Sequence, residues 1–140
     1  MEITVDVVVD APMERVWNAW ISPEAIQNWN FASDTWCCPD AKIDFVVGGE
    51  FSHRMEAKDG SMGFDFGGRF VRIDEHERIE FVMGDDRKVS VIFSQTPQGV
   101  SVVETFDAEN QNSAELQKQG WQSILNNFKK HVESAAEVKA

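Results

Sequence analysis

The sequence predicts a single α+β domain, spanning residues 1–140, in which a curved antiparallel sheet of about seven strands wraps around one long C-terminal helix. Three observations predict this fold class. The chain begins with alternating apolar and polar residues, continues with a series of short strand-like runs, and ends on an apolar stripe at helical spacing. The connections between the strand-like runs are too short for parallel crossovers, so neighbouring strands are expected to be antiparallel.

The N-terminal segment predicts one strand followed by two short helices. Apolar and polar residues alternate over residues 2–10, which is the period of a half-buried strand. Pro12 suits the first turn of a helix, where its missing N–H is not needed, and the apolar stripe of that helix contains Trp17 and Trp20. Ser22 is the expected cap of the second helix.

The middle of the chain predicts the rest of the sheet. Residues 30–41 have weak periodicity and are interpreted as a loop with room for a short strand. Clusters of Gly, Asp and Pro then separate six runs that read as strands. These runs are Lys42–Val47, Gly49–Lys58, Gly63–Asp74, Arg78–Met83, Lys88–Gln95 and Val100–Asp107.

The C-terminal segment predicts a helix from Asn112 to about Ala135. Asn112 and Glu115 have the spacing of a capping-box variant. The opposite face of this helix is polar and includes Gln117. The predicted apolar face consists of Leu116, Gly120, Trp121, Ile124, Leu125, Phe128, Val132 and Ala135.

Gly120 is unusual because glycine disfavours a helix interior by about 1 kcal/mol relative to alanine. Two explanations remain open at this stage. Either the sheet approaches this position too closely for a side chain, or the position keeps space for a bound molecule.

The composition points to an apolar interior and an acidic surface. The chain has ten Phe and five Trp but no Tyr, so most of its aromatic rings lack a polar group. Its net charge of −11 disfavours nucleic acids and acidic membranes as partners, since both are polyanionic. A basic substrate or a basic protein surface stays compatible with this charge.

Cysteine and histidine placement predicts a reduced, cytoplasmic protein without metal, disulfide or cofactor. Cys37 and Cys38 are adjacent, and a disulfide between neighbours is strained. The three histidines, His53, His76 and His131, lie far apart, and none has a second ligand at metal spacing. The N-terminus lacks a signal-peptide pattern, and no apolar run approaches ~18 residues.

Several short segments, in order, resemble those of one known superfamily. The sequence is similar to the SRPBCC (START-like) superfamily and, within it, to homologues of the C-terminal domain of the activator of heat-shock-protein-90 ATPase. This resemblance implies a helix-grip fold with a cavity between sheet and helix. The segments are residues 10–17, Trp20, residues 22–25, Trp29, residues 48–51, Asp59-Gly60, Gly68, residues 70–73, residues 77–79, Gly120-Trp121 and Leu125.

Two titratable residues stand out on strand faces that are otherwise apolar. Glu104 alternates with valines and Phe106, so it is expected to be buried, where a carboxyl must be paired or protonated. His53 alternates with Phe51 and Met55. The full set of predicted ligand-binding residues is Trp17, Trp20, Trp29, Trp36, Phe51, His53, Met55, Phe66, Phe70, Phe81, Phe93, Glu104, Trp121, Leu125 and Phe128.

Three functions follow from these patterns. The first is a small-molecule binding protein that holds an apolar or aromatic ligand in the cavity. The second is a co-chaperone-like module that presents its acidic surface to a chaperone-type partner. The third is a cyclase- or hydrolase-type enzyme that uses the same cavity. The protein is expected to be a monomer or a homodimer, and no catalytic residues are assigned.

Overall fold

The computed structural model describes residues 1–138, with side chains through Ser134, and within this range it contains one seven-stranded sheet and three helices. The sheet order is β1-β7-β6-β5-β4-β3-β2, and all neighbouring strands are antiparallel. The predicted fold class is therefore confirmed. The elements are β1 (Glu2–Val9), α1 (Met13–Ile21), α2 (Pro23–Ile26), β2 (Trp36–Ile43), β3 (Glu50–Ala57), β4 (Gly63–Asp74), β5 (Arg78–Met83), β6 (Lys88–Thr96), β7 (Gly99–Asp107) and α3 (Ala114–Val138).

The two short helices form as the sequence predicts. α1 buries Val16, Trp17 and Ala19 on one face. The hydroxyl of Ser22 accepts a hydrogen bond from the Ala25 N–H at 3.5 Å, so Ser22 is the cap of α2.

The second strand lies earlier in the chain than predicted. Residues 36–43 form β2, whereas the predicted strand at residues 42–47 is mostly a turn. Within this turn the Gly49 N–H donates to the Val46 carbonyl at 2.8 Å, and Gly48 has a φ of 89°. The prediction failed because Pro39 argues against a strand, but β2 is an edge strand with a register shift between Cys37 and Asp40. A proline is tolerated at an edge or a bulge, where no ladder donor is required.

Two glycines in β4 allow the neighbouring strands to approach its backbone closely. A Cβ on Gly67 would lie 2.5 Å from the Phe51 carbonyl oxygen, and one on Gly68 would lie 2.6 Å from that of Val82. The neighbouring backbones therefore approach β4 too closely for side chains. A register shift between Phe70 and Arg72 adds a bulge further along the strand. This bulge explains why the apolar alternation in this strand changes phase.

The start of α3 differs from the prediction in its cap and in its first turn. The Leu116 N–H is capped at 3.1 Å by the hydroxyl of Ser113, not by Asn112. Leu116 is 56% exposed and Gln117 only 9%, so the predicted faces of this turn were wrong. Gln117 is held inward because its side-chain amide donates to the carbonyl oxygens of Glu109 (3.0 Å) and Asn112 (2.9 Å). Further along, Leu125, Phe128 and Val132 are buried as predicted, whereas the side chain of Ala135 lies outside the described residues.

Polar side chains of α3 attach the helix to the free edge of β1. Gln122 bonds both backbone groups of Asp6: its amide donates to the carbonyl at 3.0 Å, and its oxygen accepts from the N–H at 3.4 Å. Glu133 accepts from the Asp10 N–H at 2.8 Å. These bonds satisfy groups that an edge strand otherwise leaves open to other chains. They also fix α3 on the β1 side of the sheet.

Over the described residues, no helix combines the length and the apolar character that crossing a membrane requires.

Gly120 lies in open space, which rules out the first of its two explanations. No atom lies within 4 Å of the position that its Cβ would occupy, so the sheet does not exclude a side chain there. We expect Gly120→Ala to raise the free energy of unfolding by about 1 kcal/mol, because alanine favours the helix and meets no obstacle.

The matched control is Gly67→Ala, whose Cβ would meet the Phe51 carbonyl. It should lower the free energy of unfolding by about 1–3 kcal/mol. Urea denaturation midpoints measure both changes. A lower midpoint for Gly120→Ala would show that the helix is closely packed at this position.

Candidate functional site

A pocket of about 310 Å³ lies between the inner face of the sheet and α3. Nine of its twenty lining residues are Phe or Trp, and the wall comes mainly from β3, β4, β5 and the first half of α3, with contributions from the α1–α2 segment. It has the character of a small-molecule site, in which apolar walls carry a few polar groups.

The aromatic rings on the inner face pack against one another along the sheet. The Phe51 ring meets that of Phe81 edge-on with centroids 4.8 Å apart, and its centroid lies 5.2 Å from that of Phe70. On the helix side, Trp121 stacks on Phe106 with centroids 3.9 Å apart and planes within 9°. The rings therefore line the two walls and leave the volume between them unfilled.

The pocket brings together most of the residues that the sequence suggests for ligand binding. Two of them, Trp20 and Trp121, are only half-buried, so the pocket communicates with the surface. The predicted residues that line the pocket are Trp20, Trp29, Phe51, His53, Met55, Phe66, Phe70, Phe81, Glu104, Trp121 and Leu125.

Four suggested residues lie elsewhere. Trp17 and Phe93 pack together in the core with centroids 5.0 Å apart, and Phe128 fills the space behind Trp20 at 5.0 Å. Trp36 is half-buried at the start of the edge strand β2 and packs behind Phe64 of the pocket wall, with ring centroids 6.0 Å apart. These four side chains support the fold and do not border the pocket.

One end of the pocket is polar, and sequence reasoning missed it. Arg87 comes from the β5–β6 turn, and its guanidinium donates to the Asp85 carboxylate at 2.7 Å. The Glu109 carboxylate accepts from the Asn112 N–H at 2.7 Å, and Gln117 bonds the backbone of both. These residues come from two loops and a helix start, so no spacing pattern joins them. Further pocket residues that were missed are Asn30, Ile43, Phe45, Phe64 and Ile124.

Glu104 is a buried carboxyl at the pocket wall. Its neighbours across the sheet are Val5 on β1 and Val91 on β6, and it is only 7% exposed. Among the side chains described, none donates a hydrogen bond to its carboxyl or pairs with it in an ion pair. Burial therefore raises the pKa of Glu104 to about 8, because the charged form loses its hydration without gaining a partner.

His53 is a second buried titratable group, on the opposite arm of the sheet. It is 8% exposed, and its Nδ1 has no hydrogen-bond partner. Burial lowers the pKa of His53 to about 4, so the ring is neutral at pH 7. His53 lies on β3 and Glu104 on β7, four strands away in the sheet order. No hydrogen bond or ion pair joins the two side chains.

Cys37 and Cys38 are free thiols, and burial raises the pKa of the Cys38 thiol. Over the described part of the chain, no three His, Cys, Asp or Glu side chains come together in an arrangement that could hold a metal ion.

A curved antiparallel sheet that grips a C-terminal helix around an aromatic pocket defines a helix-grip protein of the SRPBCC type. The chain belongs to the family described as "Activator of Hsp90 ATPase homolog 1-like protein", whose sequence model matches residues 10–133. This agrees with the family that the sequence segments suggested. The family and the fold together are those of a ligand-binding or co-chaperone-like module.

Solved structures support this assignment. An AHSA1-like protein from Aeromonas hydrophila, solved by NMR, is 47% identical, with a TM-score of 0.91 over 97% of this chain and 94% of its own. A solution structure from Cytophaga hutchinsonii is 46% identical, with a TM-score of 0.82 over the same shares. A crystal structure from Nitrosomonas europaea, 16% identical with a TM-score of 0.83 over 98% and 97%, shows the fold alone. No curated protein matches the chain.

Replacing Glu104 by Gln should stabilise the protein increasingly as the pH rises. The pKa of Glu104 is about 8 when folded against an ordinary value of 4.5. Between these values the folded state keeps a proton that the unfolded state has released, so wild-type stability falls as the pH rises. Glutamine has no such proton, and its advantage should grow from pH 4.5 to 8, to at most about 5 kcal/mol, since one pKa unit corresponds to about 1.4 kcal/mol.

Urea denaturation of wild type and Glu104→Gln at several pH values measures this difference. Glu50→Gln, which removes an exposed carboxylate from β3, is the control and should show a constant small difference. A difference between Glu104→Gln and wild type that does not change with pH would mean that Glu104 is ionised in the folded protein at neutral pH.

Proposed function

We propose that this protein binds a small apolar, aromatic molecule in the pocket between the sheet and α3. The observation that carries this proposal is a pocket of about 310 Å³ with predominantly apolar walls, rich in Phe and Trp. This volume is at the lower end of the range for small-molecule sites, roughly 300–1,000 Å³. It suits a ligand of two or three fused or linked rings.

The energetics of packing support a role in binding. Protein interiors are normally filled to the density of organic crystals, and a residual cavity destabilises the fold in proportion to its volume. Here the surrounding rings are large, yet they line the walls and leave the centre open. Phe64, which is 48% exposed at the pocket wall, provides an apolar surface along which a ligand can enter.

A cyclase- or hydrolase-type activity has less support. Such chemistry needs titratable groups within reach of the same substrate atoms. The two buried titratable groups of the pocket, His53 and Glu104, lie four strands apart in the sheet order, and no hydrogen bond or ion pair joins them.

A co-chaperone-like role is the second candidate, and two observations favour it. The matched family carries the description of an Hsp90 ATPase activator homologue, and the net charge of −11 suits a basic partner surface. The test is the ATPase rate of a purified Hsp90-type chaperone with and without this protein. Our proposal predicts an unchanged rate, and a salt-sensitive stimulation would favour the second candidate.

Filling the pocket should abolish binding without unfolding the protein. Ile124 lines the pocket from α3, so Ile124→Trp places an indole in the open volume. N-phenyl-1-naphthylamine is a suitable probe because its fluorescence rises in apolar surroundings. We expect wild type to bind it and Ile124→Trp to bind at least about tenfold more weakly, a loss of about 1.4 kcal/mol in binding free energy.

The control is Leu116→Trp, which adds the same side chain to the same helix at an exposed position. It should bind the probe as wild type does. Equal binding by wild type and Ile124→Trp would place the probe outside the pocket and contradict the proposal. Native mass spectrometry of the purified wild type adds a direct search for a co-purifying molecule.

A further inference from the structure

We propose that the pocket selects apolar molecules that carry a basic nitrogen, and that Glu104 binds that nitrogen. This inference rests on the proposed function and names the class of ligand. The polar groups on the pocket wall decide which apolar molecules the pocket accepts.

Most polar groups of the pocket already have partners in the protein. The Arg87 guanidinium is engaged by Asp85, and the Glu109 carboxylate by Asn112. The side-chain amide of Gln117 bonds the backbone around residues 109–112. None of these groups depends on a ligand for its hydrogen bonds.

Glu104 is different. The residue is only 7% exposed, and no side chain described in the structure donates a hydrogen bond to its carboxyl. Its carboxyl oxygens are unpartnered but not fully enclosed by protein, and the residue borders the pocket. By contrast, the unpartnered Nδ1 of His53 is fully enclosed. Glu104 is therefore an unpartnered carboxyl that a ligand can reach.

The chemistry of a buried carboxyl favours a cationic partner. A protonated amine forms a charge-assisted hydrogen bond with a carboxylate, which is shorter and stronger than a bond between neutral groups. The amine's positive charge also offsets the cost of ionising Glu104 in the apolar pocket. The chain's net charge of −11 disfavours an anionic ligand and attracts cations.

Two probes with the same aromatic body test this inference. They are 2-naphthylmethylamine, which is protonated at pH 7, and 2-naphthalenemethanol, its neutral counterpart. Isothermal titration calorimetry should show that wild type prefers the amine by about tenfold, the usual difference between charged and neutral hydrogen bonds. Glu104→Gln should reduce this ratio to near one, and the exposed control Glu50→Gln should keep it.

Proton release provides a second readout that needs no variant. Because burial holds Glu104 protonated near pH 7, binding of the amine should release close to one proton as the carboxyl ionises. The alcohol should release none. Calorimetry in two buffers with different ionisation enthalpies measures this count, and it decides the question if Glu104→Gln does not fold.

The outcomes separate the two proposals. If both probes bind but the amine-to-alcohol ratio is the same in wild type and Glu104→Gln, or if amine binding releases no proton, the role of Glu104 is wrong while the binding pocket stands. If neither probe binds to wild type, the proposed function itself is contradicted for ligands of this size.

Discussion

The attachment of α3 to the edge of β1 is the constraint on which the rest of the structure depends. Gln122 satisfies both backbone groups of Asp6, and Glu133 accepts from the Asp10 N–H, so the helix is fixed along one side of the sheet. Its buried residues complete the core on that side. The sheet curves away from this line through β4, and its other arm carries large aromatic side chains that the helix does not cover closely. The pocket is the space that remains between them, and it follows from where the helix is held.

This arrangement also explains the environment of Glu104. Strand β7 lies next to β1, so the residues that it points inward lie under the helix at the boundary between the filled core and the pocket. Val5 and Val91 flank Glu104 across the sheet, and neither can donate to its carboxyl. A hydrophobic residue of similar size would fill the space at position 104 with no electrostatic penalty. This electrostatic cost, which the fold itself does not need, is the reason for proposing that Glu104 binds a ligand.

Much of the fold, and part of the site, could be predicted from the sequence because alternation along strands decides which side chains face inward. Glu104 and His53 were found in this way, since each interrupts an apolar strand face. The failures have physical causes. The first turn of α3 was predicted with the wrong face inward because Leu116 is more apolar than Gln117. Gln117 lies four residues before Trp121 and eight before Leu125, so it shares their side of the helix. Its hydrogen bonds to the loop carbonyls of Glu109 and Asn112 hold it inward. The polar end of the pocket could not be predicted, because its residues meet only through the folded loops.

The central claim, that the pocket between α3 and the sheet binds an apolar molecule, is tested most directly by the indole N–H signals of the five tryptophans. Trp20, Trp29 and Trp121 line the pocket, whereas Trp17 and Trp36 do not, so the chain contains its own controls. In ¹H–¹⁵N correlation spectra, titration with N-phenyl-1-naphthylamine should shift the signals of the first three more than those of the other two. Shifts confined to Trp36, or no shifts at the three pocket tryptophans despite binding, would contradict the account.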